Sequence, residues 1–125
     1  GDVYKRQIQN YYNFTPESAE SNATEALRIM SPSLRIKQEQ PLKTLARQSI
    51  EQEITQVFAP DSGYTIEYKP GQGYIVSFKG TRIRATMNRV FSTRKYDVKL
   101  LLRPVKPSAH FEWALVVDDY IAQEI

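Results

Sequence analysis

The spacing of apolar residues changes at Tyr64, and this change constrains the fold more than any other feature of the chain. Before it, apolar residues recur at the three-to-four-residue spacing of helices that are packed by one face. After it, apolar and polar residues alternate with a period of two, which is typical of half-buried strands. Helices followed by strands predict an α+β domain, in which the helices cover one face of an antiparallel sheet.

Two helices are predicted in the N-terminal half. The segment "TPES", which begins at Thr15, offers a capping residue, a proline suited to the first helical turn and an acid that favours the positive end of the helix dipole. Ser31 and Pro32 repeat this arrangement and start a second helix, whose apolar stripe continues as far as Phe58. Pro41 lies inside the second helix and predicts a kink or a break.

The first two strands are predicted to form a hairpin around the turn sequence "PGQG". A five-residue loop would pair Tyr68 with Tyr74, Ile66 with Val76, and Tyr64 with Phe78. Beyond this hairpin the apolar residues move from even to odd positions. One extra residue near Gly80, forming a β-bulge, would restore the alternation. We therefore expect one long, bent strand over residues 74–91.

A tight turn at Ser92–Thr93 is predicted to lead into the next strand. It would set Met87 opposite Val98, Ala85 opposite Leu100, and Ile83 opposite Leu102. After a proline-rich connection, the last strand is predicted from the alternation of Phe111, Trp113, Leu115 and Val117. The expected sheet is a four-stranded antiparallel meander, strongly bent around the helices, as in the cone of nuclear-transport-factor-2-like domains.

The composition argues against an enzyme. The chain has 125 residues, enough for one domain with its own core, and it has no cysteine. Its one histidine, His110, cannot form a histidine metal cluster alone. An acid–base pair of His110 with Asp97 or Asp118 is conceivable, but the expected alternation turns Asp97 outward. We expect no catalytic residue, no metal site and no cofactor.

Residues 79–106 form a basic strip, with nine of the seventeen lysines and arginines and a single acid, Asp97. The predicted pairing turns four of the basic side chains outward: Arg82, Arg84, Lys99 and Arg103. Two interpretations stay open: the solvated face of a half-buried sheet, or a docking surface for an acidic protein, anionic lipid headgroups or nucleic acid. Nucleic acid is the least favoured partner, because no aromatic residue shares that outward face for base stacking.

Four short segments carry a resemblance to a known family. They are Thr15–Glu17, Ala26–Pro32, Ile54–Pro60 and Tyr74–Phe91, the last of which includes Gly80. They resemble the TraE family of conjugative type IV secretion, which is related to the eighth VirB component. Members typically show a TPE-like helix start, a join of the form "AL..(M/V)SP" and an exit of the form "I(T/S).(V/A)F.P" before the strands.

The resemblance implies a bitopic inner-membrane protein without catalytic activity, whose periplasmic domain has this fold. It implies one membrane-spanning helix upstream of residue 1, self-association, and contact with other components of the secretion channel. Residues 1–10 are expected to be a non-native or linker lead, and residues 11–125 a single periplasmic domain.

Two groups of residues are the candidate protein interfaces. The first is the basic group on the sheet: Arg82, Arg84, Lys99 and Arg103. The second is an aromatic patch before the first predicted helix: Tyr11, Tyr12 and Phe14. The alternative is a small-molecule binder or enzyme of the same fold, with a pocket between helices and sheet lined by Trp113, Tyr96 and Phe78.

Overall fold

The computed structural model describes residues 3–61, 63–106 and 115–125, and in these ranges three helices precede the strands. The helices are α1 (Val3–Tyr12), α2 (Ala19–Arg28) and α3 (Pro32–Gln52). The strands are β1 (Ile54–Pro60), β2 (Thr65–Lys69), β3 (Gly73–Thr86), β4 (Arg89–Pro104) and β5 (Leu115–Glu124). The predicted class, helices packed on an antiparallel sheet, is confirmed.

The sheet has the order β1-β3-β4-β5, and β2 also pairs with β3. β1 pairs with residues 80–86 of β3 and β2 with residues 73–77, while β4 pairs with β3 along nearly its whole length on the other side. β1 and β2 therefore lie end to end along one edge, and the sheet is four strands wide although it contains five. It is curled but not closed.

Helix α1 occupies the segment that the sequence predicted to be a lead or linker up to residue 10. Gln7 and Ile8 are buried, and the Tyr4 ring packs edge-on against the Tyr64 ring with centroids 5.1 Å apart. Tyr4, Ile8 and Tyr12 recur every four residues and so share one face of the helix. Residues 4–10 thus pack onto the domain as part of a helix.

Helix α3 begins as predicted and continues through Pro41. The hydroxyl of Ser31 accepts a hydrogen bond from the Leu34 backbone amide, and Pro32 takes the first turn. The predicted break at Pro41 is wrong, because the helix continues without interruption to Gln52. Buried apolar residues on both sides of Pro41, among them Leu34 and Leu42, hold both halves against the core.

Residues Ile54–Pro60 form strand β1, whereas the sequence predicted that the apolar stripe of the second helix continued to Phe58. Helix α3 ends at Gln52, and the next residue, Glu53, caps it with a left-handed φ of 53° that stops the helix. In β1 the side chains of Gln56 and Phe58 are buried while Val57 between them is exposed. β3 supplies the backbone partners of β1, so pairing with a distant strand decides its conformation.

The turn between β3 and β4 lies at Met87–Asn88, where φ is 50° and 65°, and not at Ser92–Thr93 as predicted. Two successive left-handed residues are the geometry of a two-residue hairpin turn. The observed pairs are Phe78 with Val98, Val76 with Leu100, and Tyr74 with Leu102. The predicted pairs of Met87, Ala85 and Ile83 with these three β4 residues are therefore wrong.

The predicted pairing of β2 with β3 is correct at Tyr68–Tyr74 and Ile66–Val76. Tyr64 precedes strand β2, although its ring still packs on Phe78 with centroids 5.2 Å apart. The predicted last strand is confirmed from Leu115 onward. Phe111, Trp113 and His110 lie outside the described residues.

The β-bulge lies between Arg84 and Ala85, not near Gly80. Position 80 needs a glycine for a different reason. A Cβ at this position would overlap the ring of Phe58, which belongs to the neighbouring strand β1. The register through Gly80 is continuous, so the even-numbered residues of β3 remain on the helix side from Val76 to Arg84.

We expect Gly80→Ala to lower the free energy of unfolding by about 1–3 kcal/mol, because the added methyl group must displace the buried Phe58 ring. Urea denaturation measures the change. Gly63→Ala is the matched control, since nothing lies within 4 Å of a Cβ at that position. Equal stability of the two variants would contradict the proposed role of Gly80.

Candidate protein-binding cleft

A cleft of about 170 Å³ lies between helices α1 and α3 and the sheet. We call it the inner cleft and define it by its lining residues: Tyr11, Tyr12, Leu45, Gln56, Phe58, Arg82, Arg84, Tyr96, Tyr120 and Ala122. Two pairs that the sequence assigned to separate surfaces, Tyr11 with Tyr12 and Arg82 with Arg84, therefore lie in one site.

Arg82 and Arg84 face the helices, and the prediction that they turn outward is wrong. They lie on the same face of β3 as the even-numbered residues Val76, Phe78 and Gly80. The pairing of β3 with β4 is continuous from Val76 to Arg84, so this face does not change along the strand. The helix layer buries Val76 and Phe78, but it leaves both arginines half-buried. The sequence analysis missed this because it placed a β-bulge near Gly80. That bulge would have turned the odd-numbered residues Ile83 and Ala85 inward in place of the two arginines.

Gln56 holds the base of the inner cleft together. Its side-chain oxygen accepts a hydrogen bond from Arg84 Nε at 2.8 Å, and its side-chain nitrogen donates to the Tyr12 carbonyl at 2.8 Å. Its backbone exchanges two hydrogen bonds with Phe14, at 3.0 and 2.8 Å. Gln56 is buried, and both ends of its amide are satisfied, so it fixes the Arg84 side chain against α1.

Arg82 lies on an aromatic surface. Its guanidinium carbon is 5.3 Å from the centre of the Tyr96 ring, within the range of a cation–π contact. One terminal nitrogen donates to the Ser92 hydroxyl at 3.4 Å, while Nε is buried without a partner among the described residues. Part of the donor capacity of Arg82 is therefore unused.

The electrostatic environment of the cleft is cationic. Burial lowers the pKa of Arg84 from its usual value, and the neighbouring positive charge of Arg82 lowers it further. Within the described part of the chain, no carboxylate is among the lining residues. Glu124, at the end of β5, is instead bound to Arg94 at 2.7 Å. The two cleft arginines are thus close to each other without an acid between them.

Three tyrosines form the other wall. The hydroxyls of Tyr11 and Tyr120 contact each other, and each donates to Gln38 Oε1, at 2.9 and 3.0 Å. Burial raises the pKa of Tyr11, Tyr12 and Tyr120 above the usual value for a phenol, so all three are protonated at neutral pH. The wall therefore presents hydroxyl groups and ring surfaces, without charge.

The remaining predicted interface residues lie elsewhere. Lys99 and Arg103 are exposed on the outer face of the sheet, as predicted, and Arg103 is 3.4 Å from a carboxylate oxygen of Asp118. Arg82 pairs with Arg94 across the strands. Phe14 is buried and joins the core next to Gln56. The single basic surface expected from the sequence is therefore divided between two faces of the sheet.

Gln56 and Tyr120 are the site residues that the sequence analysis missed. A usable signal for Gln56 was present in "ITQVF", where three β-branched residues and a phenylalanine in five positions favour a strand over a helix. No comparable signal marked Tyr120. Its position depends on the pairing of β5 with Leu100 in β4.

The pocket proposed for an enzyme is only partly present. Tyr96 lines the inner cleft, Phe78 is buried in the core, and Trp113 and His110 lie outside the described residues. Among the residues that the structure describes, no cluster of three or more histidines, cysteines or acids could hold a metal ion. None of the three described helices contains an apolar stretch of the length that a membrane span requires.

Comparison with solved structures finds the same fold in components of type IV secretion. CagV from Helicobacter pylori, a VirB8 homologue, matches with a TM-score of 0.75 and 10% identity over 96% of this chain and 92% of that one. The periplasmic domain of DotI matches with a TM-score of 0.77 and 5% identity over 98% and 91%. TraE, solved in complex with 2-(2-furyl)isonicotinic acid, matches with a TM-score of 0.70 and 8% identity over 98% and 92%.

No protein-family model matches the chain, and no curated protein sequence matches it. The likeness is therefore one of fold, and it extends over nearly the whole chain. The resemblance to the TraE family that the sequence suggested is confirmed at this level: the chain has the fold of VirB8-like type IV secretion domains.

We expect Tyr12→Phe to leave stability at pH 7 unchanged or to raise it by up to about 1 kcal/mol, because it removes a buried hydroxyl without a partner among the described residues. Burial raises the pKa of Tyr12 above 10, its value in the unfolded chain. The resulting contribution to stability is fully present at pH values below 10 and is lost as the pH rises above 10. The variant should therefore lose less stability than the wild type at alkaline pH.

Urea denaturation between pH 7 and pH 11 measures this difference. Tyr68→Phe is the matched control, because Tyr68 is exposed on β2. A Tyr12→Phe variant that is clearly less stable at pH 7 would show that the hydroxyl is hydrogen-bonded in solution. One that follows the wild-type pH profile would show that Tyr12 does not contribute to the loss of stability at alkaline pH.

Proposed function

We propose that this chain is a non-enzymatic assembly component of a type IV secretion channel and that it acts through protein–protein contacts in the periplasm. The observation that supports this most strongly is the fold, shared over more than nine-tenths of the chain with CagV, DotI and TraE. The four TraE-like segments in the sequence support the same assignment.

We place the domain at the periplasmic face of the bacterial inner membrane, held there by a helix upstream of residue 1. Support comes from DotI, whose matching part is its periplasmic domain.

Contact, and not catalysis, fits the chemistry of the inner cleft. General acid–base work needs a titratable pair near the operating pH. The described lining offers arginines and protonated tyrosines. Its volume of about 170 Å³ is also below the ~300 Å³ at which pockets for drug-sized ligands begin.

Exposed groups on the sheet offer surfaces for such contacts. Lys99 and Arg103 are on the outer face. At the end of the β3–β4 hairpin the apolar side chains of Met87, Val90 and Phe91 are 83%, 59% and 53% exposed. Apolar side chains clustered at a surface are typical of protein contact sites. We propose that both features take part in self-association or in binding to channel components.

Sedimentation velocity of the purified domain, alone and mixed with periplasmic domains of the other channel components encoded in the same gene cluster, tests the function. We expect concentration-dependent self-association, binding to at least one component, or both. A domain that stays monomeric and binds none of these components would contradict the proposal.

A charge reversal tests the outer face separately. Lys99→Glu combined with Arg103→Glu should weaken binding to an acidic partner by about tenfold, because each exposed charge contributes up to about 1 kcal/mol. Lys37→Glu combined with Arg47→Glu, both exposed on α3, is the matched control with the same change in charge. Equal loss in both double variants would assign the effect to net charge and not to the outer face.

A further inference from the structure

We propose that the inner cleft binds the carboxylate of an acidic side chain that a partner protein inserts between helix α1 and the sheet. This inference rests on the proposed function and names the chemistry of the contact. It concerns the concave side of the sheet, where Arg82 and Arg84 lie, and so it is independent of the exposed lysine and arginine on the outer face.

The first argument is uncompensated charge. Two guanidinium groups share a half-buried site whose described lining contains no acid. Like charges in a partly desolvated site repel each other, and an anion between them removes the repulsion. The nearest basic neighbour on the adjacent strand, Arg94, already has Glu124 as its partner. The free positive charge is therefore concentrated at Arg82 and Arg84.

The second argument is the orientation of unused donors. Arg84 is fixed through Nε by Gln56, and this contact leaves its two terminal nitrogens for another acceptor. The guanidinium carbon of Arg82 is 5.3 Å from the centre of the Tyr96 ring, and its buried Nε has no partner in the described part of the chain. A planar carboxylate matches the fork of guanidinium donors, and such charge-assisted hydrogen bonds are the strong ones.

The third argument is size and wall chemistry. About 170 Å³ is too small for a cofactor or an oligonucleotide, but it accommodates the side chain of an aspartate or a glutamate. Tyr12, Phe58 and Ala122 provide apolar wall surface for the methylene groups of that side chain. The rings of Tyr11 and Tyr120 line the same cleft as uncharged surface, because their hydroxyl groups are protonated and donate to Gln38.

Benzoate is the test probe, and benzamide is its uncharged counterpart of the same shape. Each is titrated into the wild-type domain while NMR follows the Nε–H signals of Arg82 and Arg84 and the side-chain amide of Gln56. We expect saturable shifts of these signals with benzoate and not with benzamide. No shift with benzoate, or equal shifts with both probes, would overturn the proposal without any variant being made.

Arg84→Gln should weaken benzoate binding by at least about tenfold, because it removes the charged donors that the carboxylate needs. Arg89→Gln, at the exposed start of β4, is the matched control and should bind benzoate like the wild type. If Arg84→Gln does not fold, Arg82→Gln replaces it. Unchanged benzoate affinity in the folded variant would overturn the assignment to the inner cleft.

The final arm separates this proposal from the proposed function. A channel component that binds the domain in sedimentation should bind Arg84→Gln at least about tenfold more weakly, and benzoate should compete with it. If the component binds the wild type and Arg84→Gln equally, the function stands and the acidic occupant is wrong. If benzoate binds the cleft but the domain stays monomeric and binds no component, the proposed function fails, and with it the protein source of the carboxylate.

Discussion

The structure depends on one constraint, the continuous register of β3 between Val76 and Arg84. A strand in antiparallel pairing places alternate side chains on opposite faces, and a slip of one residue would reverse every one of them. Gly80 preserves this register by admitting the Phe58 ring directly over the backbone. The bulge occurs only after Arg84, next to the hairpin turn. All inner-face positions from Val76 to Arg84 are thereby fixed together.

This constraint links the core to the inner cleft. Where the helices cover β3 closely, the inner positions are Val76 and Phe78, and they are buried in the core. Further along β3, the same face carries Arg82 and Arg84. The residues that face them across the cleft include two tyrosines of α1 and one tyrosine of β5. Long side chains with polar ends can lie along apolar surface with their charged groups at its margin. The cleft is the edge of the core, where charged side chains replace apolar ones on the inner face of β3.

Gln56 shows how a polar side chain can organise such a margin. It lies opposite Arg84 in the β1–β3 pairing, and it also bonds to the segment that follows α1. A buried amide with both ends satisfied specifies one arrangement of its neighbours, because any other would leave a buried donor or acceptor unpaired. The orientation of Arg84, and with it the charge of the cleft, depends on this residue.

Although α2 begins at Ala19 and not at the predicted Thr15–Pro16, the sequence by itself determined the class of the fold, the start of α3, and the hairpin of β2 with β3. These features depend on local capping, turn chemistry and apolar period, all of which act within a few residues. Only the tertiary structure decided that β1 is a strand, that the turn lies at Met87–Asn88, and that Arg82 and Arg84 face the helices. Each of these depends on pairing between strands distant in the chain, and a local period cannot distinguish one register from the next.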